Sequence, residues 1–183
     1  MNAIDLMKEE HRYIERMLKV IREVSLRILK GEKVEYDDLY SIIGFVREYA
    51  DGHHHNKEEV LLFNRMIENL GSTGEVIVRN GMLVEHDLGR LYIKNLEEAI
   101  GRLKDGSEDD KLDIIANLIS YTDLLKRHID KEDNVVYNFA VRGLKEEILI
   151  KLDDECIKYE AENEAIKVKN ISLLESLEKK YLF

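Results

Sequence analysis

The chain has no proline, no tryptophan and one cysteine among its 183 residues. No apolar run approaches the roughly 20 residues that a membrane-crossing helix needs. Without proline, the strongest interruption of a helix is missing throughout. A lone Cys156 cannot close an internal disulfide, which fits a reducing compartment, and its expected place is as a small buried apolar residue in a C-terminal helix. The formal charge of −10 repels phosphate backbones and anionic lipid surfaces, so neither nucleic acid nor a membrane is expected as a general partner. The first ten residues carry acids where a secretory signal would be basic and then apolar, and a cytoplasmic location is the expectation.

What is present favours helix. Apolar residues make up 44% and charged residues 36%, with Leu, Ile, Glu and Lys dominant, and the length suffices for one domain with a continuous core. Breakers at Gly31, Gly71-Ser72-Thr73-Gly74, Asp105-Gly106-Ser107 and Gly143 divide the chain into four long segments and a tail. Steps of three and four define an inward stripe in each segment. They run through Ile4, Met7, His11, Ile14, Leu18, Ile21, Ser25 and Ile28; through Ile43, Val46, Ala50, His54, Glu58 and Leu61; through Met82, His86, Gly89, Ile93, Leu96, Ile100 and Leu103; and through Ile114, Leu118, Tyr121, Leu125, His128, Glu132, Val135 and Phe139. Long helices with short connections predict an all-α, up-down-up-down four-helix bundle over residues 1–143. Residues 144–183 predict one or two further helices, with Leu149, Leu152, Ile157, Leu173, Leu174 and Leu177 available to pack on the bundle; this extension could also meet a second copy or a protein partner.

Each stripe contains a histidine, and the chain repeats itself. His54-His55-Asn56-Lys57-Glu58-Glu59-Val60-Leu61-Leu62-Phe63 matches His128-Ile129-Asp130-Lys131-Glu132-Asp133-Asn134-Val135-Val136-Tyr137, as H-x-x-K-E-[ED]-x-[LV]-[LV]-[FY], at an offset of 128 − 54 = 74. Met7 to His11 matches Met82 to His86 more weakly at an offset of 86 − 11 = 75. The chain thus reads as two copies of a helical hairpin, each supplying one His from its first helix and His-x-x-x-Glu from its second.

A single core histidine is more often a hydrogen-bonded packing residue than a ligand, and an isolated H-x-x-x-E pair is worth a few tenths of a kcal/mol on a helix surface. Together the six residues demand more. Burying four imidazoles and two carboxylates without a cation costs several kcal/mol per unpaired charge, and no Lys or Arg lies on the same stripes to offset it. His11, His54, Glu58, His86, His128 and Glu132 are therefore the candidate ligands for two metal ions. Each ion would take two His, both Glu would bridge, and open positions would remain for a bridging oxide or hydroxide and a small ligand. Imidazole and carboxylate without thiolate suit iron, manganese or zinc, and iron makes the open positions chemically useful.

Neighbouring residues are read more plainly. His53 and His55 point about 100° to either side of His54, so at most one of the three faces the axis. Glu15 and its repeat counterpart Arg90 are expected to pair with each other or with solvent, and Glu10 and Glu85 to be solvated surface acids. Gly89 stands where the first copy has Ile14, and could open a small pocket beside His86 or simply serve helix packing. Tyr121 could reach the metals, though a packed core tyrosine is the commoner role.

Residues 5–142 resemble the hemerythrin-like proteins, a cation-binding family of di-iron four-helix bundles, through Ala50-Asp51-Gly52-His53-His54-His55-Asn56-Lys57-Glu58-Glu59-Val60-Leu61-Leu62-Phe63 and the pattern H…HxxxE…H…HxxxE. The pattern is also similar to the di-iron domain of iron–sulfur cluster repair proteins. Oxygen-carrying members have a fifth His one turn before the third-helix ligand, where this chain has Met82. They also use an Asp five residues after the fourth-helix His, a position that Asp133 fills here, beside the Glu132 that the repeat favours. The resemblance implies two iron ions and a small ligand, O2, NO or H2O2, with reversible oxygen carriage disfavoured by a symmetric four-His site. The alternatives are iron donation in cluster repair, although no cysteine-bearing N-terminal module is evident, and an iron or oxygen sensor without turnover, signalling through residues 144–183.

Overall fold

The computed structural model describes residues 2–183, which form five long helices and no strand. They are α1 (Ala3–Leu29), α2 (36–69), α3 (71–104), α4 (110–143) and α5 (Glu146–Tyr181). The first four make the expected up-down-up-down bundle. At the start of α1 the Asn2 side chain accepts from the Asp5 amide at 2.8 Å. At its end Gly31 turns to a φ of 82°, so that the Gly31 and Glu32 amides close on the Ile28 and Arg27 carbonyls, a left-handed stop that glycine adopts without strain. The Gly71-Ser72-Thr73-Gly74 run, expected as a loop, instead forms the first turn of α3. Weak helix formers cost little in a first turn, where the amides have no intrahelical partner.

Helices α2, α3 and α4 each contain π-helical turns: Val46–His55 and Glu58–Phe63 in α2, Val78–Met82 in α3, Glu132–Val136 in α4. Hydrogen bonds to the fifth residue widen the turn and advance the inward face by one position. The stripes read at a period of 3.6 residues therefore slip. Leu61 is only half-buried and Val135 is 59% exposed, while Leu62 and Val136 take the inward places. Phe139 is likewise half-buried, between the buried Tyr137 and Ala140. Gly52 sits inside the first π turn, where an added Cβ would lie 2.9 Å from the Arg47 carbonyl oxygen, so the turn needs a residue without one.

The apolar side chains divide into two clusters. One gathers Ile14, Phe45, Ile93, Leu118 and Leu125, the other Met7, Phe63, Met66, Met82 and Tyr137. On every helix of the bundle the candidate ligands lie between the two. The tail is one continuous helix, packed along α1 and α2, and it belongs to both clusters: Leu174, Leu177 and Tyr181 join the first, Leu152 and Cys156 the second. Cys156 is buried as expected, whereas Ile157 is 56% exposed and does not pack. Among the described residues no helix is long and apolar enough to cross a membrane.

Because Leu174 is fully enclosed, Leu174→Ala should cost about 2–5 kcal/mol in urea unfolding, while Ile157→Ala should stay within about 0.5 kcal/mol. Equal effects would show that α5 is not part of the core.

Candidate metal centre

All six predicted residues meet at the centre of the bundle, none more than 1% exposed. His11 Nε2 lies 3.3 Å from Glu132 Oε2, and His128 Nε2 lies 3.2 Å from Glu132 Oε1. Glu58 Oε2 lies 3.5 Å from His54 Nε2 and 3.8 Å from His86 Nε2. Each carboxylate thus faces one histidine of its own hairpin and one of the other. The rings follow the same pseudo-twofold relation, with His11 and His54 edge-on at 4.6 Å and 71°, His86 and His128 at 4.8 Å and 70°.

A seventh residue joins them. The wide turn that ends at His55 carries both His54 and His55 inward, contrary to the one-in-three expectation from ordinary helical geometry. His55 stacks on His86 with centroids 3.8 Å apart. His55, Glu58, His86 and His128 form one group of potential ligand atoms within 4.8 Å of one another, and His11, His54, Glu58 and Glu132 form a second. Glu58 is common to both. The symmetric two-plus-two histidine arrangement is therefore replaced by three and two. The repeat gave no signal for this, because Ile129 stands at the position related to His55.

An outer ring of acids holds the imidazoles. Nδ1–H of His54 donates to Glu10 at 2.8 Å, that of His128 to Glu85 at 2.9 Å, that of His86 to Glu59 at 2.7 Å, and that of His11 to Asp133 at 2.9 Å. All four Nε2 atoms are thereby turned inward as lone-pair donors, the arrangement by which a carboxylate orients a metal-binding histidine. Glu10 and Glu85 are thus partners of the inward histidines and not solvated surface acids; Glu10 is fully buried. Their position directly before His11 and His86, in both copies, was the legible signal. Asp133 holds His11 from outside, leaving Glu132 as the inner carboxylate of α4. Lys57, expected on no buried face, is fully buried, but it faces Glu10 and Glu160, so it does not neutralise Glu58 or Glu132. Arg90 pairs with Asp51, Glu59 and Asp87, not with Glu15, which is exposed. The tyrosine at the site is Tyr137, whose hydroxyl donates to Glu58 Oε1; Tyr121 stands against Gly89 in a cavity wall.

The donor set fits a cation. His54 Nε2, both His55 ring nitrogens, Glu58 Oε2 and both Glu132 oxygens are buried without a hydrogen-bond partner. His86 Nε2 and His128 Nε2 face each other at 3.1 Å, so with both Nδ1 atoms protonated only a cation or a further proton can separate the opposed lone pairs. Without metal, protons serve. Burial opposes charge on His11, but Asp133 and Glu132 beside it lift it to about 10. Burial likewise opposes charge on His128, which Glu132 and Glu85 raise to about 10. His54 is pushed by burial down to about 4. Burial and the neighbouring Glu132 lift Glu58 well above the carboxylate range, whereas Glu132, despite its burial, is held well below by His128 and His11.

One side of the centre opens. A cavity of about 110 Å³ is lined by His55, His86, Gly89, Ile93 and Tyr121, with Arg47, Asp51 and Arg90 among its walls. At the related place across the pseudo-twofold, Gly89 is replaced by Ile14 and His55 by Ile129, both buried in the core.

A family model described as the hemerythrin HHE cation binding domain matches residues 2–140, leaving the whole of α5 outside. Searches of curated proteins and of solved structures returned no match.

Two predictions follow from this geometry. Glu132→Gln should reduce the number of metal ions bound, whereas Asp133→Asn should keep the number and lower affinity roughly 10–100-fold in chelator competition; the reverse pattern would make Asp133 the ligand. The metal-free chain should also show a specific pH dependence. His11 and His128 are raised from 6.5 to about 10, so their stabilisation is complete below pH 6.5 and is lost as pH rises towards 10. Thermal melts of the metal-free chain should fall across that window, and the metal-loaded chain, whose imidazoles hold a cation in place of protons, should lack the fall.

Proposed function

Because the chain belongs to the hemerythrin HHE cation-binding family, we propose that its centre holds two iron ions and binds or turns over a small oxidant, O2, NO or H2O2. The observation that carries this reading is the buried, partnerless set of inward nitrogen and oxygen atoms beside a small cavity. One ion would take His55, His86 and His128, the other His11 and His54. Glu58 is shared, and Glu132 reaches from His11 to His128. His55 would supply from α2 the fifth imidazole that oxygen carriers take from their third helix, where Met82 stands here. With five imidazoles, O2 would stand beside NO and H2O2 as a ligand for this centre.

Iron would supply open coordination positions and one-electron redox steps, for which manganese and zinc, though compatible with these donors, are less suited. The chain's own residues would do the rest. The outer acids fix the imidazoles, Tyr137 holds Glu58, and the two apolar clusters exclude bulk water. The cavity would admit a molecule of a few atoms to the His55 and His86 side, where Gly89 leaves room. Burial of every ligand fits this reading better than iron donation, which would require the bundle to open.

Chain purified aerobically and loaded with iron should contain about two ions per chain and develop a visible spectrum that changes on adding peroxide, oxygen or NO to the reduced form. Repeated peroxide loss would mark turnover and stoichiometric binding a carrier or sensor. A chain that takes up no iron, or takes up manganese or zinc alone, would refute the iron reading. Gly89→Leu, which fills the cavity, should slow azide or NO binding at least about tenfold while iron content is retained; an unchanged rate would place access elsewhere.

A further inference from the structure

Beside the ligand cluster lies a second buried charge network that the metal does not account for. Lys57 is fully enclosed, and its Nζ donates to Glu10 Oε1 and Glu160 Oε1 at 2.5 Å each. The same two oxygens lie 3.0 and 2.9 Å from His53 Nε2. Glu10, His53 and Glu160 have the spacing of a third cation site, but the Lys57 ammonium already contacts both carboxylates. From outside, Lys167 Nζ donates to the other oxygen of Glu160 at 3.0 Å. The remaining oxygen of Glu10 is the one that holds His54 Nδ1.

The repeat supplies an internal control. In the second hairpin Lys131 pairs with Glu85, which holds His128, but that lysine is 44% exposed and has water for a second partner. Lys57 has none. An enclosed ammonium pulling on a single carboxylate would compete with His54 for it, and a second carboxylate relieves that competition. Glu160 is that second carboxylate. It has no counterpart in the second hairpin, and it comes from α5, beyond the span matched by the family model.

We propose that Glu160 is a positioning residue of the metal centre: by sharing Lys57 and His53 with Glu10, it leaves Glu10 free to fix the ring of His54, and so makes the C-terminal helix part of the centre. Movement of α5 would then be felt at the ion held by His11 and His54. The inference rests on the proposed reading of His54 as a metal ligand.

The test uses the full iron-loaded chain and compares Glu160→Gln with Glu178→Gln. Glu178 also anchors α5, through Arg16 at 2.9 and 2.6 Å, but in a separate ion pair that shares no residue with the Glu160 network. Outer partners of metal-binding histidines typically change affinity 10–100-fold, and Glu160 acts one step further out, so roughly 3- to 10-fold faster iron loss to a chelator is expected for Glu160→Gln. The visible spectrum and reduction potential should shift with it. Glu178→Gln, whatever its loss of heat stability, should leave spectrum, potential and iron retention unchanged, and Glu160→Asp should restore them in part. If Glu160→Gln does not fold, Lys167→Met, which only loosens Glu160 from outside, should shift the same readouts in the same direction. Iron-loaded Glu160→Gln, or in its place Lys167→Met, indistinguishable from wild type in spectrum, potential and iron retention would overturn the inference alone. A wild-type chain that takes up no iron would overturn the reading beneath it as well.

Discussion

Five imidazoles and two carboxylates, none more than 5% exposed, share the middle of the bundle, and their mutual compatibility depends on positive charge between them. Desolvating one unpaired carboxylate costs several kcal/mol, and Glu58 and Glu132 face the same small volume. The nearest buried lysine is turned away, towards Glu10 and Glu160. Protons on His11 and His128 can fill the role only in part, since Glu132 then remains ionised while Glu58 is pushed towards its neutral form. A metal cation meets the demand directly. The two apolar clusters close over the site from both ends, which strengthens each electrostatic interaction inside it.

Around this centre the chain repeats one device four times: a carboxylate outside each of four histidines, with Nδ1 outward and Nε2 inward. The H-x-x-K-E motif combines its parts economically. Its His and Glu face the centre, and its Lys ties down the acid that precedes the ligand of the adjoining helix, Glu10 for Lys57 and Glu85 for Lys131. The residue after the Glu holds a histidine of the other hairpin, Glu59 for His86 and Asp133 for His11. The hairpins are therefore joined through their inward histidines as well as through their cores.

Departures from the repeat are where chemistry can differ between the two ends. His55 in place of Ile129 adds a donor on one side, and Gly89 in place of Ile14 leaves space next to it. Tyr137 in place of Phe63 gives a hydroxyl to Glu58 and lies 3.4 Å from His11 Nε2, with no counterpart at Glu132. On the opposite side Glu160 of α5 reinforces the support of His54. A near-symmetric set of candidate ligands thus sits in surroundings that are open on one side and braced on the other.

The all-helical architecture, the two hairpins and the meeting of six inward His and Glu residues at one centre were legible in the sequence, because a buried stripe at helical spacing and an internal repeat are both local patterns. So was the inward placement of Glu132, with Asp133 outside it, since the repeat aligns Glu132 with Glu58. The inward turn of His55 was not legible, nor was the slip from Leu61 and Val135 to Leu62 and Val136. Both arise from π turns, whose hydrogen bonding to the fifth residue breaks the period from which facing is read. The roles of Glu10, Lys57 and Glu160 were also hidden, because whether a charged residue is solvated or enclosed depends on what packs over it. Here that cover is α5, and only its docking against α1 and α2 encloses Glu10 and Lys57 and brings the half-buried Glu160 against them.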